Sequence, residues 1–466
     1  MRIVVCIRQG LDKEISPFDA CAYEEALRIK GAEVILLSMA PESAKDFLLK
    51  LTRLGASRAI LLCDRAFAGA DTLATAYALS MAIKKLSPDL IFCGRQTLVG
   101  DTAQTAPMLS VLAGSSLITN VMKIDEVSER EITCTTRQRG TCTASFPATL
   151  TVERINTLRF PALFSKTGEV EVWSAEDVGA DPARCGLGGS PTRVLKTFEN
   201  TSGKRKCQRN TPAEFKTVLE DAQKKQHDAI GTQKVCEKKL GRILCVGENT
   251  TELAQGLSEE LTVIPLDTPE RMAELIQAAD ADAVLWPSDD LGKATAAEVA
   301  ARLSLGLCAD CTALESDGEQ LIMYRPALSG SIIAKIISRT RPAMASVRSA
   351  KESGGTVLGL GFGARESLEE LKQYADSIGA ELAASRKAVD NQLMPYRTQV
   401  GLTGKTVCPP IYVAVGISGA VHHIVGMQRA GCVIAINPDP NAPIFEYADF
   451  GIVCDAKTFL EAQKKQ

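Results

Sequence analysis

The sequence of 466 residues predicts an α/β protein built on doubly wound, mostly parallel sheets. Short continuous apolar runs such as RIVVCI, EVILLSM and LIFCG are typical of strands buried on both faces. Amphipathic stretches such as DACAYEEALRIKG lie between them, and this alternation is typical of parallel sheets covered by helices. At roughly 150 residues per domain, the length predicts about three domains.

The first predicted domain covers residues 1–198. Two of its helices have recognisable ends, because Gly31 closes one and Asp71 opens another as an N-cap. Residues 116–165 are rich in Thr and β-branched side chains without a helical period. We therefore expect antiparallel strands there that extend or flank the parallel sheet.

Two further α/β patterns follow a polar, Lys-rich segment. Residues 199–241 predict a solvated linker with one helix. Residues 242–350 repeat the strand–helix pattern, with RILCVG, LTVIPL and DAVLWP as strands. Residues 351–466 begin a third block, in which a strand, a Gly-rich turn and a helix follow one another.

The composition excludes several classes of function. Lys plus Arg number 53 and Asp plus Glu number 56, so the net charge of −3 gives no footprint for nucleic acid or an anionic membrane. No apolar run approaches the roughly 20 residues that span a bilayer. The start MRIVVCIRQG has too short an apolar stretch for a signal peptide, so we expect a cytoplasmic protein that does not insert into membranes. Three histidines predict no metal centre, and fifteen scattered cysteines predict reduced thiols.

A loop of small and hydroxyl residues, GRQTLVGDTAQTAP, follows the strand LIFC at Gly94–Pro107. In doubly wound sheets, phosphates bind where a strand ends and a helix begins, because backbone N–H groups point outward and the helix dipole favours an anion. Thr102 and Thr105 add hydroxyl donors. An ordinary strand–helix loop has the same pattern, so the loop alone leaves both interpretations open.

The second candidate site is the run QVGLTGKTVCPPIYVAVGISGAVHH at Gln399–His423. Thr403 and Ser418 lie on either side of the apolar strand IYVAV, and the adjacent His422 and His423 begin the next helix. A core position is the default for one histidine, but two adjacent ones point to different sides, so at least one is expected to face a ligand. A third glycine-rich string, GLGFGARES, lacks the spacing of the dinucleotide fingerprint and is a weak signal.

Together these motifs resemble the electron-transfer flavoproteins, with both subunits in one chain and the β-type sequence first. The resemblance rests on β-type strings such as SPFDACAYEEALRIK and GRQTLVGDTAQT, and on α-type strings such as RPALSG, AASRKAVD, QVGLTGKT, GISGAVHHIVGM and AINPDPNAPIFEYADFGIVCD. It implies a nucleotide-binding β-type domain at 1–198, a linker at 199–241, a shortened α-type α/β domain at 242–350 and a Rossmann-like FAD-binding domain at 351–466.

On the α side, the resemblance implies a bound FAD. Arg386 corresponds to the arginine that lies against the isoalloxazine, Thr403 to the residue near the flavin N5 and His423 to the residue near the O2 edge. A cation about 4 Å away contributes about 4 kcal/mol to the stability of a reduced, anionic flavin at an effective dielectric of about 20. The positions that match FAD-binding residues of the family are Ser385, Arg386, Gln399, Val400, Gly401, Leu402, Thr403, Gly404, Ser418, Gly419, Ala420, Val421, His422, His423, Asn437 and Asp455.

On the β side, the resemblance implies an adenine nucleotide, either AMP or, in electron-bifurcating members, a second FAD. The strings DRAFAGADT and GDTAQ resemble the bifurcating group more closely, which favours a second FAD. The matching positions are Cys6, Ser16, Phe18, Asp19, Met39, Gly94, Arg95, Gln96, Gly100, Asp101, Thr102, Ala103, Gln104 and Thr105.

The predicted function is that of an electron carrier between a flavin dehydrogenase, such as an acyl-CoA dehydrogenase, and a downstream acceptor. Leu163 corresponds to the residue that anchors the partner, although the Lys-rich run that follows it in the family is missing here. The alternative is an NADH-dependent, electron-bifurcating oxidoreductase with two FAD and ferredoxin as the low-potential acceptor. A nucleotide-binding regulator without flavin chemistry is a third possibility, because Leu360 and Leu402 replace an arginine and a glutamine of the family.

Overall fold

The computed structural model describes residues 1–466 except 11–12, 98–99, 201–202, 225–235, 237, 329, 349–354, 402 and 466. The chain divides into two compact units. The first unit consists of Met1–Thr197, Val235–Leu328 and Ala334–Val347, and the second of Phe198–Lys234, Ser329–Ile333 and Arg348–Gln466. The described strands form four sheets, and the predicted α/β class with mostly parallel sheets is confirmed.

The strands and helices have the following bounds. The strands are β1 (Arg2–Cys6), β2 (Glu33–Met39), β3 (Arg58–Leu62), β4 (Leu90–Gly94), β5 (Ser116–Val127), β6 (Glu131–Thr136), β7 (Gly140–Ser145), β8 (Ala148–Val152), β9 (Glu169–Trp173), β10 (Thr192–Glu199), β11 (Gln208–Asn210), β12 (Leu240–Val246), β13 (Ser258–Ile264), β14 (Ala283–Pro287), β15 (Leu307–Cys311), β16 (Ala313–Ser316), β17 (Leu321–Ala327), β18 (Ile332–Ser338), β19 (Ala343–Val347), β20 (Thr356–Leu360), β21 (Glu381–Ala384), β22 (Ile411–Val415), β23 (Cys432–Ile436) and β24 (Phe450–Ile452). The helices are α1 (Pro17–Arg28), α2 (Lys45–Thr52), α3 (Thr72–Leu86), α4 (Thr105–Ala113), α5 (Gly186–Gly189), α6 (Phe215–Lys224), α7 (Pro269–Ala278), α8 (Asp290–Leu303), α9 (Leu368–Ser377), α10 (Arg386–Asp390), α11 (Val421–Met427) and α12 (Ala456–Gln463).

The largest sheet belongs to the first unit and has the strand order β7-β6-β5-β8-β4-β1-β2-β3-β9. Strands β5, β6 and β7 pair antiparallel, as expected for residues 116–165, whereas β8 lies between β4 and β5 and runs parallel to both. Strand β1 pairs in parallel with β2 on one side and β4 on the other. The winding direction therefore reverses between β1 and β4, which leaves a crevice at their carboxyl ends.

A second parallel sheet, β13-β12-β14-β19-β15, completes most of the first unit. Only a short 3-10 turn, Glu248–Thr250, lies between the parallel strands β12 and β13. Helices α3, α4, α7 and α8 contribute to one apolar core that both parallel sheets share. Small residues such as Ala76, Ala296 and Ala300 are fully buried there, which permits close helix packing. The remaining four-stranded sheet has the order β10-β18-β17-β16.

The sheet of the second unit is parallel throughout and has the strand order β11-β24-β23-β22-β20-β21. Strand β20 pairs with β21 on one side and β22 on the other, so the winding reverses between β20 and β22. The aromatic rings of Phe215, Tyr374 and Phe459 pack edge to face or tilted in the core beside this sheet.

The segment 199–241 differs from a solvated linker in the part that the structure describes. Strand β11 pairs with β24, and α6 packs its Phe215 and Val218 into the core of the second unit. The Arg205 side chain is only 5% exposed and donates to Asp449 at 2.5 Å and to the backbone carbonyl of Ala430. The segment 199–241 is therefore anchored to the second unit by β11, by α6 and by Arg205. Its polar composition does not indicate these contacts, because an arginine paired with an aspartate can be buried without apolar neighbours.

Candidate functional site

The predicted residues of the second unit gather at one edge of its sheet. Because all strands are parallel, the residues that follow β20, β21, β22, β23 and β24 meet at the carboxyl edge. The backbones cross closely there: a Cβ on Gly361 would lie 2.0 Å from the carbonyl oxygen of Gly416. Gly416 itself has a φ of 65°, a conformation that glycine adopts without strain. The glycines thus allow the loops that follow β20 and β22 to pack main chain against main chain.

Ser385 and Arg386 directly follow β21. The Ser385 side chain accepts a hydrogen bond from the backbone N–H of Ala388 and caps α10. The Arg386 side chain is 24% exposed, and its Nε lies 3.4 Å from Oδ2 of Asp390 one turn later. The guanidinium is therefore held at the sheet edge, and the aspartate offsets part of its charge.

The described residues of the turn Gln399–Gly404 are attached to β21. The backbone N–H of Val400 donates to Ala384, and the Gln399 side-chain amide donates to the Thr403 hydroxyl at 2.7 Å. A Cβ on Gly401 would lie 2.5 Å from the carbonyl oxygen of His422, so this turn packs directly on the start of α11. The prediction for Leu402 lies outside the described residues.

Residues Ser418–His423 follow β22, and the two histidines differ in environment. His423 is buried, with its Nε2 2.9 Å from the Tyr412 hydroxyl. Burial lowers the pKa of His423 to about 4, although a hydrogen bond with the backbone of Val400 opposes this, so its ring is neutral at pH 7. His422 is only partly buried, and Ser418 and Ala420 are exposed. Ser418, Ala420 and His422, rather than His423, therefore face the open side.

Asn437 and Asp455 shape the loops after β23 and β24. The Asn437 side chain donates to the carbonyl of Ile417 at 2.9 Å and accepts from the backbone N–H of Asp439. Asp455 caps α12 by accepting from Thr458, and these hydrogen bonds lower the pKa of its carboxyl. Both side chains hold the backbone around the crevice.

The predicted β-type residues gather at the crevice between β1 and β4. Gly94 ends β4 and brings α1 close, since a Cβ there would lie 2.3 Å from Oδ1 of Asp19. The buried Asp19 carboxylate accepts from the backbone N–H of Arg8 at 2.9 Å and from that of Gly94. Burial nevertheless raises the pKa of Asp19 to about 7. The Ser16 hydroxyl is 5% exposed and has no hydrogen-bond partner among the described residues.

The other residues of this crevice lie on strand ends and on helix α1. Cys6 and Met39 are at the ends of β1 and β2, and Phe18 is buried in the first turn of α1. Cys6 lies opposite Cys93 on the neighbouring strand, and a hydrogen bond between the two thiols together with burial raises the pKa of Cys93. Among the described residues, the polar groups at the crevice thus include the Ser16 hydroxyl, the Asp19 carboxyl and the thiols of Cys6 and Cys93.

The described residues of the loop Gly94–Thr105 bond to one another beside this crevice. The Gln96 amide donates to the Asp101 carboxylate at 2.7 Å, and Asp101 and Ala103 have φ values of 55°. Arg95 is buried, and its guanidinium lies 3.5 Å from Glu153 and 3.6 Å from Asp290, so its charge is neutralised. The Gln104 backbone N–H and side chain bond to Thr102 and Thr72 respectively. Gly100 follows residues outside the description, and Thr105 begins α4.

Arg325 is a candidate that sequence reasoning missed. It lies on β17, is 7% exposed, and its Nη2 donates to the backbone carbonyl of Asp101 at 3.1 Å. Among the described residues, its Nε has no partner and no carboxylate pairs with it. A buried guanidinium without a counter-ion is costly, so this position is suited to an anionic ligand. The string RPALSG contains Arg325, but it gives no local sign of the contact with a loop 224 residues away.

Leu163 lies in a surface loop between β8 and β9. Its side chain is 84% exposed, and the neighbouring Phe160 and Phe164 are 93% and 89% exposed. Three large apolar side chains so close together on the surface are typical of a protein interaction site.

The fold and the two crevices define a nucleotide-binding α/β protein. The sequence profile of the "Electron transfer flavoprotein domain" matches residues 3–178 and 259–355, and that of the "Electron transfer flavoprotein FAD-binding domain" matches residues 356–428. The chain belongs to the electron transfer flavoprotein family, which confirms the resemblance found in the sequence. FAD binds in the C-terminal region, as predicted.

Several known proteins are similar to parts of the chain. Protein FixA of Azorhizobium caulinodans is 42% identical over 211 residues, which cover 41% of this chain and 75% of the relative. The electron transfer flavoprotein subunit beta of Clostridium acetobutylicum is 39% identical over 201 residues, 41% of this chain and 78% of the relative. Protein FixB of Rhizobium meliloti is 34% identical over 239 residues, 41% of this chain and 68% of the relative. The chain thus combines β-type and α-type sequences and serves in electron transfer.

The residues at the carboxyl edge of the second unit fit an FAD. Glycines at 361, 416 and 419 let the loops at this edge pack main chain against main chain, because an added Cβ at each would clash with a neighbouring backbone atom. The Ser418 hydroxyl is exposed and makes no hydrogen bond with another described residue. Arg386 supplies a cation at the same edge. Hydroxyl donors suit the ribityl and phosphate groups, and the cation suits a reduced flavin. Among the described residues, no helix has both the length and the hydropathy to span a membrane.

Proposed function

We propose that the protein carries electrons from a flavin dehydrogenase to a downstream acceptor through the FAD of its C-terminal region. The observation that carries this proposal is the meeting of Arg386, Ser418 and His422 at one carboxyl edge of a parallel sheet. A bound FAD supplies one-electron and two-electron redox chemistry. The division into domains at 1–198, 242–350 and 351–466 belongs to this proposal.

The chain's own residues have distinct tasks in this proposal. Arg386 favours the anionic, reduced state of the cofactor by its charge, and Asp390 limits this effect. Ser418 and the turn Gln399–Gly404 orient the cofactor by hydrogen bonding. His423 is buried beside the crevice, and its pKa is about 4. The imidazole therefore stays neutral above about pH 5 and adds no pH-dependent charge to the site.

The β-type crevice holds an adenine nucleotide in this proposal. Support comes from the Gly94–Thr105 loop and from the Ser16 hydroxyl and the Arg325 guanidinium, which have no hydrogen-bond partner and no counter-ion respectively in the described part of the chain. The strings DRAFAGADT and GDTAQ favour a second FAD over AMP. With two FAD, the alternative function is an NADH-dependent, electron-bifurcating oxidoreductase that reduces ferredoxin.

The dehydrogenase docks on the loop that carries Leu163 in this proposal. Phe160 and Phe164 extend the apolar surface on both sides of Leu163. Burying one such side chain contributes about 1.5–3 kcal/mol to binding. The partner would be an acyl-CoA dehydrogenase or another flavin dehydrogenase with an apolar pocket.

Nucleotide content decides between the two functions. The purified protein is denatured, and the released nucleotides are identified and counted by chromatography. One FAD with one AMP per chain, and no bleaching of the flavin by NADH, supports the carrier alone. Two FAD per chain with bleaching by NADH in the absence of a dehydrogenase supports bifurcation. A protein that binds no FAD even after reconstitution contradicts both.

A further inference from the structure

The loop with the three exposed apolar side chains follows β8, and its first residues bind to helix α1. Glu24 of this helix binds Arg159 at three atoms: the guanidinium Nε and Nη2 at 2.9 Å each and the backbone N–H at 3.1 Å. Glu25 accepts from the Asn156 side-chain amide at 2.6 Å. The thiol of Cys21 donates to the Asn156 carbonyl at 3.2 Å. Two residues at the loop's start, Asn156 and Arg159, are thus fixed on one helix face.

The far end of the loop is fixed as well. The backbone N–H of Gly168 donates to the Thr52 hydroxyl at 2.9 Å, and a Cβ on Gly168 would lie 2.9 Å from the Ser57 carbonyl oxygen. Between the two anchors, the backbone N–H and hydroxyl of Ser165 donate to the carbonyl of Ala162 at 3.0 and 2.9 Å and close a turn. The turn presents the side chains between them to solvent.

Glu24 is built to stay charged. Only 6% of its side chain is exposed, whereas 40% of the Arg159 side chain is exposed. Burial raises the pKa of the Glu24 carboxyl, but hydrogen bonds from Arg159 and Arg28 outweigh this effect, and the net pKa is lowered. The two parallel hydrogen bonds from Arg159 form the bidentate geometry that is strongest between arginine and carboxylate.

We propose that Glu24 is a positioning residue for partner docking: by holding Arg159, it fixes the loop so that Phe160, Leu163 and Phe164 are presented as a preformed apolar knob. This inference rests on the proposed docking role of the Leu163 loop. In this inference the Arg159 guanidinium binds Glu24 within the protein. The dehydrogenase is therefore recognised by apolar contacts and not by the charge of Arg159. A preformed loop binds with a smaller loss of conformational entropy than a loose one.

The test compares Glu24→Gln with Glu33→Gln in the full, FAD-loaded chain. Glu33 is a suitable control because it pairs with Arg2 at 2.9 Å on the same sheet, away from the loop. In Glu24→Gln we expect hydrogen exchange of the 158–165 peptides to rise about tenfold, equivalent to the loss of one charge-assisted hydrogen bond. With a purified acyl-CoA dehydrogenase as reductant, the KM for the protein should rise about tenfold at unchanged kcat. Glu33→Gln should change neither value.

A second variant guards against misfolding of the first. Arg159→Gln alters the exposed partner and should give the same exchange and KM effects, and the double variant should be no worse than either single one. Unchanged exchange of the loop in both single variants would overturn the inference, as would an additive double variant.

Failure of the docking proposal looks different. If Leu163→Ala leaves KM unchanged while Glu24→Gln still loosens the loop, the docking role is wrong and with it the stated purpose of Glu24. If Leu163→Ala raises KM and Glu24→Gln has no effect on exchange or KM, only the positioning inference is wrong. If the wild-type protein accepts no electrons from the dehydrogenase, the named partner is wrong, and the exchange measurement still decides whether Glu24 holds the loop.

Discussion

Replacing Arg325 with Met should leave the nucleotide-free protein at least as stable while weakening nucleotide binding. The guanidinium is 7% exposed and, among the described residues, has the Asp101 carbonyl as its hydrogen-bond partner and no carboxylate. Burying an unpaired cation costs several kcal/mol, whereas one hydrogen bond from a charged donor returns about 1.5–3 kcal/mol. Met keeps the apolar stem and removes the charge.

The loss of affinity follows from the same hydrogen-bond energy. If Arg325 binds a phosphate group, its removal should weaken AMP binding by about 10- to 100-fold and leave adenosine binding unchanged. Calorimetry on the nucleotide-depleted full chain with AMP and with adenosine gives both affinities, and thermal unfolding gives the stability. The control is Arg341→Met, since Arg341 is 66% exposed in its pair with Asp282 and should affect none of these values.

Two results would refute this reasoning. A lower unfolding temperature of nucleotide-free Arg325→Met would show that the Asp101 contact is structural and that the charge is compensated. Equal loss of AMP and adenosine affinity would show that the Gly94–Thr105 loop has collapsed rather than lost a phosphate contact.

Three further predictions concern charged residues. Arg386→Ala should lower the reduction potential of the C-terminal FAD by on the order of tens of millivolts, and Asp390→Asn should raise it. If spectroelectrochemical titration shows neither shift, Arg386 and Asp390 do not set the flavin potential. The pKa of Asp19 in the folded protein is raised to about 7. The contribution of the protonated Asp19 carboxyl to the free energy of unfolding is therefore fully present below about pH 4 and is lost as the pH rises through 7. Urea unfolding of nucleotide-free Asp19→Asn should therefore depend less on pH in that window than wild type. Arg205→Ala leaves Asp449 buried without its 2.5 Å partner and should destabilise the second unit by about 3–5 kcal/mol, measured by release of FAD fluorescence on heating; a loss below 1 kcal/mol would contradict a buried pair.

Local sequence patterns predicted the parts of the fold that depend on neighbouring residues. Asp71 accepts from the backbone N–H groups of Leu73 and Ala74 and opens α3, as its position before an apolar run predicted. Ser418 lies three residues after the apolar strand β22, so its place at the sheet edge could be predicted from the alternation of strands and helices, whereas Ser385 was assigned through the resemblance alone.

Contacts between distant segments could not be predicted in this way. Strand β8 reads as part of an antiparallel group, yet its apolar residues fill a parallel gap between β4 and β5. The contact of Arg325 with Asp101 depends on how the sheet that contains β17 packs against the loop after β4, which no local pattern encodes. His423 was expected to contact the cofactor, and this stays a prediction. The structure places its Nε2 against the Tyr412 hydroxyl in the core, a contact that the sequence pattern did not indicate.

Strands β11 and β24 pair in one sheet, but the ribosome makes β11 long before β24. Arg205 and β11 belong to the second unit, but Asp449 is made 244 residues after Arg205. At about 5–20 residues per second, translation takes about 12–50 s to cover that distance. During this interval the first unit can complete its core, whereas the segment with Arg205 and β11 has no partner strand to pair with. A fragment cut at residue 350 for separate expression would leave the edge of β24 bare, and a useful FAD-binding fragment therefore has to be supplied with residues 203–224 in cis or as an added peptide.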